Sequence, residues 1–233
     1  MNFENKLISG LFVKRYKRFF VDVNVKNKIV TAHCPNSGSM MGLINKNNKV
    51  WLTEALNKKR KLKYTLQIIE DNSFKVGVNT HLTNKIVNHA LQKNLIKDFT
   101  SKVKIKSEQV FGSNTRFDFY LEEENTKSFL EVKNVTLKRK SNIAEFPDAV
   151  TARGTKHLNE LINATKKGFN AYLLFVIQRE DCNKFEIAKD IDPEYSKTLT
   201  KAIKHNVKIL CYDCKFLPKG IILNNKIKFH INE

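Results

Sequence analysis

The sequence predicts a two-domain chain, a small β-barrel over residues 1–80 followed by an α/β (α+β) layer domain over 81–233. Three observations carry this. Short apolar/polar alternations fill the first 80 residues, broken by turn chemistry. After Thr80 the apolar period becomes helical, and strands then alternate with helices. At 233 residues the chain is long enough for one large core or two small ones.

In the first part, Val21, Val23 and Val25 alternate with Asp22 and Asn24, the signature of a half-buried strand. Further strands are expected at Ile29–His33, Val50–Leu52, Lys63–Glu70 and Phe74–Val78. Pro35-Asn36, Ser37-Gly38 and Asn47-Asn48 punctuate them. So many short strands in so short a segment suggest an OB-like barrel. In the second part, Ile86, Val87, Ala90, Leu91 and Leu95 predict a helix over Asn84–Phe99, with Thr83 as its cap. Strands are expected near Glu108–Phe111, Arg116–Leu121 and Phe129–Val135. A helix over Arg153–Lys167 buries Leu158, Leu161 and Ile162 and ends at Gly168. A buried strand at Ala171–Gln178, a helix after Pro193 and a strand at Val207–Tyr212 complete the pattern.

The longest apolar run, Ala171–Ile177, is too short to span a bilayer. With no basic-then-apolar leader at the start, a cytoplasmic protein with no membrane partner is expected. Cys211 and Cys214 form a lone C-x-x-C without a second pair, which reads as a strand rather than a zinc site. The formal charge is +19, and polyanions are the natural partners of such a surface. A Lys-, Asn- and Ile-rich composition also follows from an AT-biased genome, so the distribution is more informative. Residues 1–80 carry a balance of +10 and residues 81–233 a balance of +9, about twice the density in the shorter part.

The chemistry concentrates in RFDFYL and FLEVKNV. Strand alternation places Phe117, Phe119 and Leu121 on one face and Arg116, Asp118 and Tyr120 on the other. Glu131 and Lys133 are two apart on the next strand, so they point the same way, roughly 6–7 Å from each other. An acid and a base among apolar neighbours are costly unless compensated, and a hard divalent cation compensates them. Asp118 and Glu131 are expected to hold Mg²⁺ (or Mn²⁺), with Glu108 as a further ligand and the Val132 carbonyl a possible one. Lys133 then orients a water and stabilises developing negative charge. A plain salt-bridged hairpin accounts for the same spacing.

The pattern D-x(12)-E-x-K on adjoining strands after a helix resembles the PD-(D/E)xK nuclease superfamily. The segments RYKRFFVDV, TAHCPNSGSM, VWLT, RKLKYT, VGVNT, NTRFDF, LEVKNVTL, FPDAVTARGTKHLNEL and IDPEYSKTL look like the sugar fermentation stimulation protein A family, over nearly the whole chain. The resemblance implies an OB-like domain at 1–80 that binds nucleic acid and a PD-(D/E)xK nuclease-like domain at 81–233. It implies the catalytic positions Asp118, Glu131 and Lys133, an acidic residue at Glu108, and DNA binding linked to sugar metabolism. One departure stands out: in the first helix the family commonly has Glu where this chain has His89.

Other residues admit two readings. Arg153 and His157 share a helix face and suit phosphate binding at the start of that helix, or form a polar face; Asp148 precedes them. Gln178 at the end of the buried strand is a supporting site residue or simply polar. Arg15, Lys17 and Arg18 interleave with aromatics, which suits backbone neutralisation and base stacking, or a strand with Phe inward and cations outward. Lys58, Lys59 and Arg60 make a basic loop, a phosphate contact or a solvated turn. The expected function is that of a Mg-dependent DNA endonuclease. The alternative is a non-enzymatic DNA-binding regulator of sugar metabolism genes on a nuclease scaffold. RNA is a further candidate partner, and the sequence leaves the oligomeric state open, a homodimer included.

Overall fold

The computed structural model describes residues 1–112 and 115–230. Asn114, the first residue of the NTRFDF motif, lies outside them. Strands β1 (Ile8–Tyr16), β2 (Phe20–Val25), β3 (Lys28–His33), β4 (Lys49–Glu54) and β5 (Tyr64–Asp71) form the barrel. The order β3-β2-β1-β4-β5 closes on itself because β3 also pairs with β5, in parallel, at Ala32↔Tyr64. This is a five-stranded OB barrel, and β6 (Phe74–Gly77) extends it beyond β5. Phe12, Val21, Val23, Leu52, Leu66 and Val76 fill its interior, as alternation requires.

The second part opens with α1 (Thr83–Gln92), two turns shorter than expected. Thr83 does not cap it; its hydroxyl instead bonds Asn134 and Gln178. Strands β7 (Lys104–Phe111), β8 (Thr115–Glu123) and β9 (Thr126–Val135) form a meander. Next come β10 (Leu137–Lys140), β11 (Ile143–Phe146), α2 (Ala152–Lys166) and β12 (Asn170–Ile177). The chain continues with β13 (Lys184–Ile187), α3 (Pro193–Lys204), β14 (Lys208–Leu217), β15 (Gly220–Lys226) and β16 (Lys228–His230). The main sheet has the order β15-β14-β12-β9-β8-β7, with β12 parallel to both neighbours. A central parallel strand is buried on both faces, which is why Ala171–Ile177 is continuously apolar.

Helices α2 and α3 cover one face through Leu158, Leu161, Ile162 and Leu199. Helix α1, the N-terminal segment and Ile68 of the barrel cover the other. Cys211 belongs to the first core and Cys214 to the second, so the C-x-x-C pair straddles the sheet and all four thiols are free. No helix among the described residues is long and apolar enough to cross a membrane.

The two parts are fastened by the segment after β12. Gly77 N–H donates to the Gln178 carbonyl at 2.8 Å, and Arg179 pairs with Asp71 of the barrel at 2.6 Å. A Cβ at Gly77 would run into the Gln178 side chain, so a larger residue there would force the buried Gln178 amide to shift. On the other side, the Asp148 carboxylate accepts the Met40 N–H at 3.2 Å, and Ser39 Oγ donates to the Asp148 carbonyl at 2.8 Å.

Candidate metal centre

Alternation fails at the one place where chemistry is expected. Phe117 belongs to the core under α2, whereas Phe119 and Leu121 belong to the core under α1. The three therefore do not share a face, contrary to simple alternation. The break falls at Asp118, opposite Glu108, which has the left-handed φ of +55°. The β8–β9 ladder stops at Phe119↔Leu130. One step beyond, the Asp118 carboxylate takes the place of a backbone carbonyl and accepts the Val132 N–H at 2.8 Å. Its other oxygen accepts from Asn84 Nδ2 of α1 at 2.8 Å.

Glu131 lies beside it, 2% exposed. Lys133 Nζ donates to Glu131 Oε1 at 2.6 Å, and His157 Nδ1 of α2 contacts the same oxygen. Glu131 Oε2 is buried with no partner at all. Burial first, and then the charge of Glu131, pushes the Asp118 carboxyl up to about 6. Burial opposes ionisation of Glu131 too, but Lys133 and His157 outweigh it and its carboxyl titrates below the ordinary range. Two carboxylates thus stand together, one with an idle buried oxygen and the other resisting its charge. Hard oxygen donors in this state suit a cation of the Mg²⁺ class, which takes one or two carboxylates and shares the rest of its shell with water and phosphate.

The remaining expected residues are distributed as follows. Glu108 is 60% exposed at its side chain and pairs with Arg116 at 3.7 Å. No three His, Cys, Asp or Glu side chains converge to hold a metal among the described residues, so the expected third ligand is not grouped with Asp118 and Glu131. The left-handed backbone at Glu108, invisible to a strand pattern, is where the ladder departs from regularity. His157 is buried against Glu131, while Arg153, one turn earlier, is exposed. Gln178 is fully buried and donates to Thr83 and Asn134, so it braces α1 against β9.

Arg15 spends its guanidinium on the carbonyls of Arg18, Asn36, Gly38 and Ser39, clasping the loop that Asp148 holds from the other side. Lys17 and Arg18 form the exposed β1–β2 turn with φ of 45° and 63°. Lys58, Lys59 and Arg60 lie exposed between β4 and β5. Two contributors were not anticipated, Asn84 and the buried Tyr195, whose hydroxyl has no partner and is pushed well up by burial and Glu131. Asn84 lies 34 residues from Asp118 in sequence, and only the docking of α1 brings them together. His89 lies near the N-terminal amine, away from Asn84, and burial and that amine lower its pKa.

Comparison with known proteins agrees with this architecture. The model of the sugar fermentation stimulation protein RE domain matches residues 81–220, and that of the SfsA N-terminal OB domain matches residues 13–78. The chain belongs to the SfsA family. It is 52% identical to the sugar fermentation stimulation protein homolog of Pelagibacter ubique, over 98% of each chain. It is 40% identical to the Maricaulis maris homolog over the whole of both chains. The homolog of Brucella ovis is 42% identical over 95% of this chain and 94% of its own. Among solved structures, SfsA of Pyrococcus furiosus, described in complex with Ca²⁺, superposes with a TM-score of 0.90. It covers 99% of this chain and 98% of its own at 24% identity, a likeness of fold. The second part is accordingly a restriction-endonuclease-like domain, and the SfsA family carries it behind an OB barrel.

Proposed function

We propose that this SfsA-family chain binds DNA and cleaves its phosphodiester bonds with Mg²⁺ or Mn²⁺ at Asp118 and Glu131. The observation that carries the reading is the buried, unpartnered Glu131 Oε2 beside an Asp118 carboxyl raised to about 6. A buried charge left half-satisfied is expensive, and a site of that kind is kept for use more often than for stability. The Ca²⁺ described for the Pyrococcus furiosus protein supports a divalent cation as the ligand of this fold. When bound, such a cation neutralises charge at a phosphate and acidifies water.

The chain's own groups then have separable tasks. Asn84 and the Val132 N–H fix the orientation of Asp118. Lys133 and His157 converge on Oε1 of Glu131 and so leave Oε2 as the oxygen offered to a ligand. Lys133, 14% exposed at its side chain, presents an ammonium in contact with Glu131 and stabilises negative charge as it develops on phosphate. The exposed Lys17, Arg18, Lys58, Lys59 and Arg60 of the barrel and Arg153 of α2 supply phosphate contacts.

The test is cleavage of supercoiled, linear, branched and single-stranded DNA in Mg²⁺ and in Mn²⁺, beside Asp118→Ala and Lys133→Ala. Wild-type cleavage that falls about 100-fold or more in both variants is expected. DNA binding without cleavage of any form would favour the non-enzymatic regulator on a nuclease scaffold.

A further inference from the structure

On the barrel side of α1, the barrel, the N-terminal segment and the start of α1 enclose a cleft of about 500 Å³. Its floor is a relay of buried polar side chains. Gln67 Nε2 donates to Thr53 Oγ at 2.7 Å, and Asn79 Nδ2 donates to Gln67 Oε1 at 2.8 Å. Asn79 Oδ1 in turn accepts the His81 N–H at 3.1 Å. Thr53, Gln67 and Asn79 are 7%, 6% and 6% exposed, yet all three border the cleft. A side-chain amide nitrogen has two hydrogens. Gln67 and Asn79 each spend one in the relay, which leaves one donor on each at the floor.

The wall is a row of flat rings. His33 at the end of β3 and His81 before α1 have ring centroids 6.4 Å apart and tilted by 50°, and outside the cleft Phe19 continues the row 6.4 Å beyond His33. Phe19 is 41% exposed. Burial, with the charges of Arg60 and His81, lowers the His33 pKa, so its ring is neutral at pH 7. At the mouth stand Arg60 from the β4–β5 loop and Lys85 from α1, the latter paired with Glu4 at 2.7 Å. Lys58, Lys59 and Lys61 continue the positive charge outward.

We infer that this cleft is a nucleotide subsite that takes one unpaired base of a single DNA strand. The base stacks on the His33–His81 row, its edge meets the Gln67 and Asn79 amides, and its phosphate lies at Arg60. Stacking needs a free π-face and edge contacts need a free edge, and a base inside a duplex offers neither together. The inference rests on the DNA-binding reading above and adds which form of DNA is held. His81 and Lys85 come from the second part of the chain, so the subsite is built at the junction and does not belong to the barrel alone. Consecutive residues of α1 serve the two sites, Asn84 holding Asp118 and Lys85 lining the cleft.

The test is fluorescence anisotropy with labelled oligothymidylate of about eight nucleotides and with a duplex of the same length. Wild type, His81→Ala and Phe19→Ala are compared; both side chains are exposed enough for the variants to fold. Each variant is expected to weaken single-strand binding by about tenfold and to change duplex binding by less than about twofold. Single-strand affinity unchanged in both variants, or equal losses for both forms of DNA, would overturn the subsite and leave the DNA-binding reading standing. Wild type that binds only duplex would do the same. Wild type that binds neither form would overturn both.

Discussion

Two buried ionic clusters are built in opposite ways, one at Glu131 beside the middle of β12 and one at Arg179 just past its end. Around Arg179, which is 1% exposed, every charge is answered. Its guanidinium meets Asp71, Asp181 and the Thr136 carbonyl, and Lys138 also reaches Asp181. Burial works against the Asp181 charge, but Arg179 and Lys138 overcome it and hold the carboxyl down at about 2. Around Glu131 an oxygen is left idle, and the nearby Asp118 carboxyl is pushed up to about 6. The shifts are opposite because Asp181 meets two cations, whereas Asp118 is more deeply buried and faces the charge of Glu131. The satisfied network fastens the barrel to the second part, and the unsatisfied one is free to engage something from outside.

That contrast can be broken by substitution. Arg179→Met leaves Asp71 and Asp181 as buried acids without their guanidinium, and a loss of about 3–5 kcal/mol in denaturant unfolding is expected. Asp118→Asn should act in the opposite direction. It removes an ionisation that costs stability at pH 7, and a shift of about two units sets a ceiling near 3 kcal/mol on the gain; the new amide nitrogen faces either the Val132 N–H or Asn84 Nδ2, which offsets part of it. Asp148→Ala keeps the carbonyl that Ser39 Oγ bonds but loses the carboxylate's hydrogen bonds from the Met40 N–H and Ser39 Oγ, and should cost about 1–2 kcal/mol.

The pH dependence separates the two clusters with the smallest effects. Asp181 is depressed, so its contribution is fully present above the unfolded carboxylate value of about 3.9 and is lost as pH falls toward about 2. Asp118 is raised, so the folded state holds its proton more tightly than the unfolded chain does between about 3.9 and 6. Its contribution makes stability fall as pH rises through that window. In chelator-treated protein, the difference in stability between Asp118→Asn and wild type should therefore widen from about pH 4 to pH 6 and then level. A constant difference would show that Asp118 titrates normally.

Much of this architecture is legible in the sequence because it follows from local pattern. Alternation at Val21, Val23 and Val25 and the helical spacing of Leu158, Leu161 and Ile162 each report one buried face, and the apolar run Ala171–Ile177 reports two. Asp118, Glu131 and Lys133 are legible as a group because they fall on two strands of one hairpin. What pattern does not reach is pairing across distance. The contact of His157 with Glu131 spans 26 residues, that of Asn84 with Asp118 spans 34, and that of Arg179 with Asp71 spans 108. Arg15, Lys17 and Arg18 read as one strand because nothing in Lys or Arg announces a left-handed turn. The face reversal at Asp118 is hidden for the same reason, since Glu108 gives no sign of its positive φ.

The measurement that bears most directly on the metal centre is calorimetric titration of the apo protein with Mn²⁺, wild type beside Asp118→Ala. The account predicts binding by the wild type and its loss in the variant, with DNA affinity retained in both. Equal Mn²⁺ affinity in the two proteins would contradict it and would return Asp118 and Glu131 to the role of a salt-bridged hairpin.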